Sequence, residues 1–167
     1  KERKKEIKAF EKDVEKSLKA QERTAQRFAD TVGDAAFLEL QFNRLPAQHL
    51  VNRALIEFAN QNSLQDKLIV TCDSHYSSPD HWKERELYKK LGWLNYKEFD
   101  PSKLPQSKED LKCELYPKNA EQMWEEYKLH VPDYDFYNGK DQIISNAIER
   151  SYDIAWDQCE EVWFDEE

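Results

Sequence analysis

The sequence contains no C-x-x-C pair, no long apolar run and no hydrophobic centre behind its first charged residues. Cys72, Cys113 and Cys159 are odd in number and far apart, which argues against a disulfide framework or a zinc ribbon and fits a reducing cytoplasm. Without a stretch of ~20 apolar residues there is no candidate membrane span, and the opening KERKKEIKAF lacks the core of a secretory signal. Internal repeats and low-complexity tracts are missing as well. So is an excess of cations: 25 basic residues face 34 acidic ones, for a net charge of -9. That balance argues against a protein that coats DNA through clustered Lys and Arg. The first residue is not Met, from which the chain is expected to be part of something longer.

What is present is enough sequence for one domain with a core. An apolar fraction of 39% and an aromatic fraction of 13% suit a folded protein, whereas 35% charge and a mean hydropathy of -0.98 imply that part of it is solvated helix. Charge is uneven along the chain. Residues 1–32 carry ten basic and seven acidic side chains, and residues 139–167 carry two basic and nine acidic ones, so any nucleic-acid contact should favour the first stretch.

Ile7, Phe10, Val14, Leu18, Ala25, Phe28 and Val32 recur at three- to four-residue steps, which predicts one amphipathic helix from Lys1 to about Thr31, ended by Gly33. In Ala36 to Phe42, Leu38, Leu40 and Phe42 alternate with Phe37, Glu39 and Gln41, the pattern of a strand. Leu50, Val51, Ala54, Leu55, Phe58 and Ala59 give a second helical stripe between Ala47 and Gln61, and Lys67 to Cys72 is again β-rich. This β-α-β order predicts neighbouring parallel strands joined by a crossover helix, with active-site groups at the end of the second strand. Ser78 is expected to cap a helix beginning at Pro79, with Trp82, Leu87 and Leu91 on its apolar side and Gly92 at its end. Asp100 to Asp110 reads as an exposed connection, Cys113 to Tyr116 as a short strand, and Asn119 as the cap of a helix reaching Leu129. An aromatic loop from His130 to Gly139 precedes a last helix from about Lys140 to Val162.

Asp73-Ser74-His75 stands immediately after the second strand. A carboxylate and an imidazole separated by one residue point the same way on extended backbone, so both can reach one metal. Phe37 to Gln41 and Leu68 to Tyr76 resemble two blocks of the PHP domain of the DNA polymerase III alpha subunit family. Glu114-Leu115-Tyr116-Pro117-Lys118-Asn119-Ala120-Glu121-Gln122-Met123 is similar to that family's link from PHP domain to palm, and Glu149 to Ala155 to the helix beyond. Arg85 departs from the family's usual His, Cys159 falls one residue late, and the loop Lys97 to Lys112 diverges.

The resemblance implies an α/β fold: a partial, distorted β/α barrel of PHP type over residues 1–96, a divergent loop over 97–112, and a mainly helical connector over 113–167. It implies that Asp73 and His75 are the last two ligands of a centre holding divalent metal (Zn, Mn or Mg), with Mg serving the parent polymerase. It further implies a parent that performs DNA replication, with possible 3′ to 5′ exonuclease proofreading, and whose partners are the rest of the polymerase chain, primer-template DNA and a sliding clamp. The family's H-x-H and its central His and Glu ligands have no counterpart here, nor do the palm carboxylates. The chain alone is therefore expected to have no catalytic residues and no nuclease or polymerase activity. Two other readings stand beside this one: a stand-alone PHP phosphoesterase acting on a small phosphate ester, and a non-enzymatic module that docks on the replication machinery.

The plainer reading of Asp73 and His75 is a hydrogen-bonded pair at a strand end. Cys72 reads as a buried thiol, His49, His81 and His130 as surface or capping groups, and most of the tryptophans as core. Tyr134, Phe136 and Tyr137 read as a packed loop, and the Lys-rich start as a solvated helix face.

Overall fold

The computed structural model describes residues 2–33, 36–93, 100 and 104–159. The first apolar period folds as helix α1 (Glu2–Val32), which packs on α2 (Pro46–Gln61) and buries Leu18 and Ala25. Gly33 follows α1 with φ +65°, the left-handed conformation that a helix end favours and a side chain resists. Phe28 belongs to the same apolar series, yet it is 53% exposed.

Strand β1 (Leu38–Leu40) pairs in parallel with β2 (Leu68–Val70), in the register Leu38 to Leu68 and Leu40 to Val70. Both strands are shorter than their alternating patterns, because only three residues of each make ladder bonds. Leu38, Leu40 and Phe42 are buried while Glu39 is exposed, as alternation requires. Helix α2 crosses between the strands. Its buried residues are His49, Asn52, Ala54, Ile56, Phe58 and Ala59, so the inward face is rotated from the expected stripe and includes two polar side chains.

Helix α3 (Trp82–Trp93) begins three residues later than expected, since His81 N–H bonds the Ser78 carbonyl and holds the preceding residues in a turn. Trp82 is buried at its start, but Leu87 and Leu91, expected on its apolar side, are exposed. A 3₁₀ turn at Lys108–Asp110 carries a capping box from Ser107 and Asp110. Cys113 to Tyr116 is not a strand. Its contacts run to a loop: the Leu115 carbonyl accepts from the N–H groups of His75 and Tyr76, and Leu115 N–H donates to the Tyr76 hydroxyl.

Asn119 caps α4 (Ala120–His130), with a reciprocal bond to Gln122. Two 3₁₀ turns, Val131–Asp133 and Asp135–Tyr137, lead to α5 (Asp141–Asp153), which packs on β2 and ends in a π turn at Ile154–Gln158. The expected continuation to Val162, with Trp163, lies outside the described residues. So do residues 97–99 and 101–103 of the divergent loop. One buried cluster joins Ala25, Leu38, Leu40, Ile56, Leu68, Val70, Tyr127, Tyr137, Ile144 and Ile148. Trp156 is exposed on the π turn instead of core. Among the described residues no helix is long and apolar enough to cross a membrane.

A candidate metal-ligand pair beyond the second strand

The backbone leaves β2 through Thr71, whose N–H bonds the Leu40 carbonyl and whose hydroxyl bonds the Glu39 carboxylate. Asp73 then turns the chain at φ +46°, a left-handed conformation that Asp tolerates better than most residues. This turn carries Ser74 and His75 toward Leu115, where the main-chain bonds to residues 75 and 76 anchor the segment.

Asp73 and His75 are both exposed, and Asp73 Oδ1 lies 3.9 Å from His75 Nδ1. The shorter contact from the ring is to the Asp73 main-chain carbonyl, 2.6 Å from Nδ1. A carbonyl can only accept, so Nδ1 carries the proton and Nε2 of the neutral ring keeps its lone pair, the arrangement of a His whose free nitrogen can ligate metal. The carboxylate stands on the Nδ1 side, so a shared ion calls for a turn of the Asp73 side chain. Among the described residues no group of three or more His, Cys, Asp or Glu converges in a way that could hold a metal ion. These two donors therefore fit a metal only as part of a larger ligand set.

Beside His75, but not lined by Asp73, runs an open groove of about 400 Å³ whose walls are His75, Tyr76, Ser77, His81, Glu84, Arg85 and Tyr88. His81 is exposed, as expected, and its Nδ1 lies 2.9 Å from the Ser77 hydroxyl. Cys72, expected to be buried, is half-buried, and burial pushes its thiol up from the ordinary range. Lys118 lies near it. Its side chain is 4% exposed, it donates to the Glu114 carbonyl and stands 3.4 Å from Glu126, whose carboxyl is raised by burial.

His49 and His130 overturn the surface reading. His49 is 1% exposed, its ring stacks on Tyr134 at 4.1 Å between centroids, and His130 lies 4.3 Å away. Its Nδ1 meets the Tyr137 hydroxyl at 2.8 Å, and that hydroxyl also accepts from Asn52. Nε2 has no partner. The buried pairing of His49 and Asn52 has one sequence signal: with Ile56 and Ala59 they sit at three- and four-residue steps on α2. Tyr134, Phe136 and Tyr137 form the packed loop expected of them, with Tyr137 fully buried.

Over 63 residues, 38% of its length, the chain is 43% identical to the DNA polymerase III subunit alpha of Aquifex aeolicus (strain VF5). The match covers 5% of that protein, so the chain spans a small part of the relative it resembles. No family model matches the chain, and no solved structure does.

Proposed function

We propose that this chain is part of a replicative DNA polymerase alpha subunit, in which it carries the end of a PHP-type barrel and the start of the connector. In this reading Asp73 and His75 supply two ligands to a divalent metal centre completed by residues elsewhere in the subunit. The observation that carries it is the β1-α2-β2 crossover with the Asp73–His75 pair just past the second strand, the end where parallel folds gather their chemistry. The partial likeness to a polymerase alpha subunit supports the replication-polymerase part of this reading, not the PHP assignment in particular.

A metal bound there supplies an activated water and charge stabilisation for phosphodiester hydrolysis. This chain's part is narrower: the Asp73 carbonyl fixes the His75 tautomer, and the Leu115 carbonyl fixes the backbone on which the ring stands. DNA and a sliding clamp are partners of the whole subunit in this proposal, and polymerisation belongs to other parts of it.

The test compares the intact gene product with its His75→Ala and Asp73→Asn variants, reading bound Zn and Mn by mass spectrometry and the thermal midpoint with and without chelator. Loss of at least one metal equivalent and of the chelator response in both variants is the expected result; unchanged metal content sinks the ligand assignment. The 167-residue chain should show no hydrolysis of single strands with any of the three metals. Robust metal-dependent hydrolysis by it would establish the stand-alone phosphoesterase instead.

A further inference from the structure

Helix α3 turns Trp82 and Glu86 inward, and both are buried. At 3.6 residues per turn, Leu87, Tyr88 and Leu91 fall within a sector of roughly 100° centred opposite those two residues. They are 56%, 76% and 60% exposed. Lys83 and Lys90 border the sector on one side and Arg85 on the other, and the acid that enters it, Glu84, stands in the first turn. An apolar stripe about 100° wide is what a helix ordinarily presents to a core, and a helix apolar on both sides belongs between two packed layers. Nucleic acid, which calls for a row of cations, does not match a stripe bordered by mixed charge.

The stripe borders the candidate ligand pair. Tyr88 and Glu84 wall the same groove of about 400 Å³ as His75. In the proposed function this chain gives the centre two donors, and among the described residues no group of three or more His, Cys, Asp or Glu is placed to hold the ion. Metal–ligand bonds of about 2.0–2.3 Å bring the remaining donors within about 4 Å of the ligating His75 nitrogen, so the element that carries them stands beside this groove. The sheet edges are less open to it: Arg150 and Ser151 bond the outer edge of β2, and Asn52 bonds Gln41 beyond β1. The subunit of that reading has ample chain to supply such an element, since the matched stretch is 5% of the polymerase relative.

We propose that Leu87, Tyr88 and Leu91 form the seam on which the part of the same subunit that carries the remaining metal ligands seats, with Tyr88 on the side that borders the groove. The seam rests on the proposed role of Asp73 and His75 as two ligands of a larger centre.

The test uses the intact gene product. Hydroxyl-radical footprinting read by mass spectrometry, in native buffer and in urea, should find Tyr88 oxidised at least about fivefold more slowly in the native protein, as at the dry core of an interface. A ring left 76% exposed would instead be oxidised at nearly the unfolded rate. Benzoylphenylalanine placed at Leu87 or Leu91 should photo-crosslink within one subunit, to peptides outside residues 1–167 in which changing a His, Cys, Asp or Glu to Ala lowers bound Zn or Mn. Leu87→Glu with Leu91→Glu should weaken metal binding at least about tenfold, because the seam would then bury two carboxylates. Leu87→Met with Leu91→Met, close in volume, should stay within about twofold. Tyr88 oxidised at the unfolded rate overturns the proposal, as does a double Glu variant that binds metal like wild type. Crosslinks to a second copy, to another protein or to a part of the subunit without ligands overturn it in favour of that occupant. The metal content of His75→Ala separates the two assignments: metal retained there sinks the ligand pair and the seam with it, whereas metal lost there with Tyr88 freely oxidised sinks the seam alone.

Discussion

The Tyr137 hydroxyl accepts from Asn52 and meets His49 Nδ1, so deleting that one oxygen leaves the buried His49 ring without a hydrogen-bond partner and removes one of the bonds of the Asn52 amide, which keeps the Gln41 carbonyl. Tyr137→Phe should cost about 1–3 kcal/mol by urea unfolding, more than an exposed Tyr88→Phe, because a buried group left without its partner keeps its full desolvation penalty. Burial, followed by the neighbouring His130, holds His49 down at about 4, below the ordinary imidazole range, and burial lowers His130 too. Asp133 and the Asn43 main chain oppose the shift without reversing it. The unfolded chain takes up its His49 proton near pH 6.5 and the folded one only near pH 4, so stability rises with pH between these values. It should be complete above about pH 6.5, fall as pH drops, and be lower by up to ~3 kcal/mol below pH 4. A thermal midpoint flat from pH 7 to pH 4 in wild type would contradict this. In His49→Phe the dependence should shrink to what His130 and the acids contribute.

Helix α4 begins where the chain supplies its own stop: the Asn119 side chain accepts from Gln122 N–H, and the Gln122 side chain accepts in return from Asn119 N–H. Asn119→Ala should remove about 1 kcal/mol, with Asn119→Ser or Asn119→Asp restoring most of it, as read by chemical unfolding. This element was legible from its residues, as were α1, α2 and the two parallel strands, because a cap or an apolar period is a local signal. The elements that were misread depend on distant partners. Cys113 to Tyr116 alternates like a strand, yet the partner it meets is the bent segment after Asp73, which offers no ladder. Ser78 resembles a cap, but its carbonyl closes a turn onto His81 first. The side chains of Leu87 and Leu91 have the spacing of a buried stripe, and spacing alone does not say whether anything lies opposite. Of the candidate site, the position of Asp73 and His75 beyond the strand was readable; the left-handed turn at Asp73 and the carbonyl that sets the His75 tautomer were not.

At the scale of the molecule, a parallel sheet that has two strands among the described residues needs its outward backbone groups satisfied, since such sheets are ordinarily buried within larger ones. Thr71 N–H donates to Leu40, so in this register the carbonyls of Leu68 and Val70 point away from β1. Helix α5 meets both: Arg150 donates to Leu68, and to Gln65 at 3.3 Å, while the Ser151 hydroxyl donates to Val70 at 2.6 Å. At the other edge the Asn52 amide pairs with Gln41, donating to its carbonyl at 2.7 Å and accepting from its N–H at 3.4 Å. Side chains of two helices thus stand where further strands would bond. In the proposed barrel, a strand added beside β1 would have to compete with Asn52 for Gln41, and one added beside β2 would have to displace α5. The α5 edge is the better one to test, because Ser151 makes only a helix-internal contact besides its bond to Val70. Ser151→Ala should cost about 1–2 kcal/mol by leaving the Val70 carbonyl unpaired, and adding Arg150→Met should roughly double the loss. With both removed, the outer edge of β2 becomes a template for a second chain, so concentration-dependent dimers should appear by size-exclusion chromatography at pH 7. A double variant as stable and as monomeric as wild type would mean that α5 lies against the sheet without holding it.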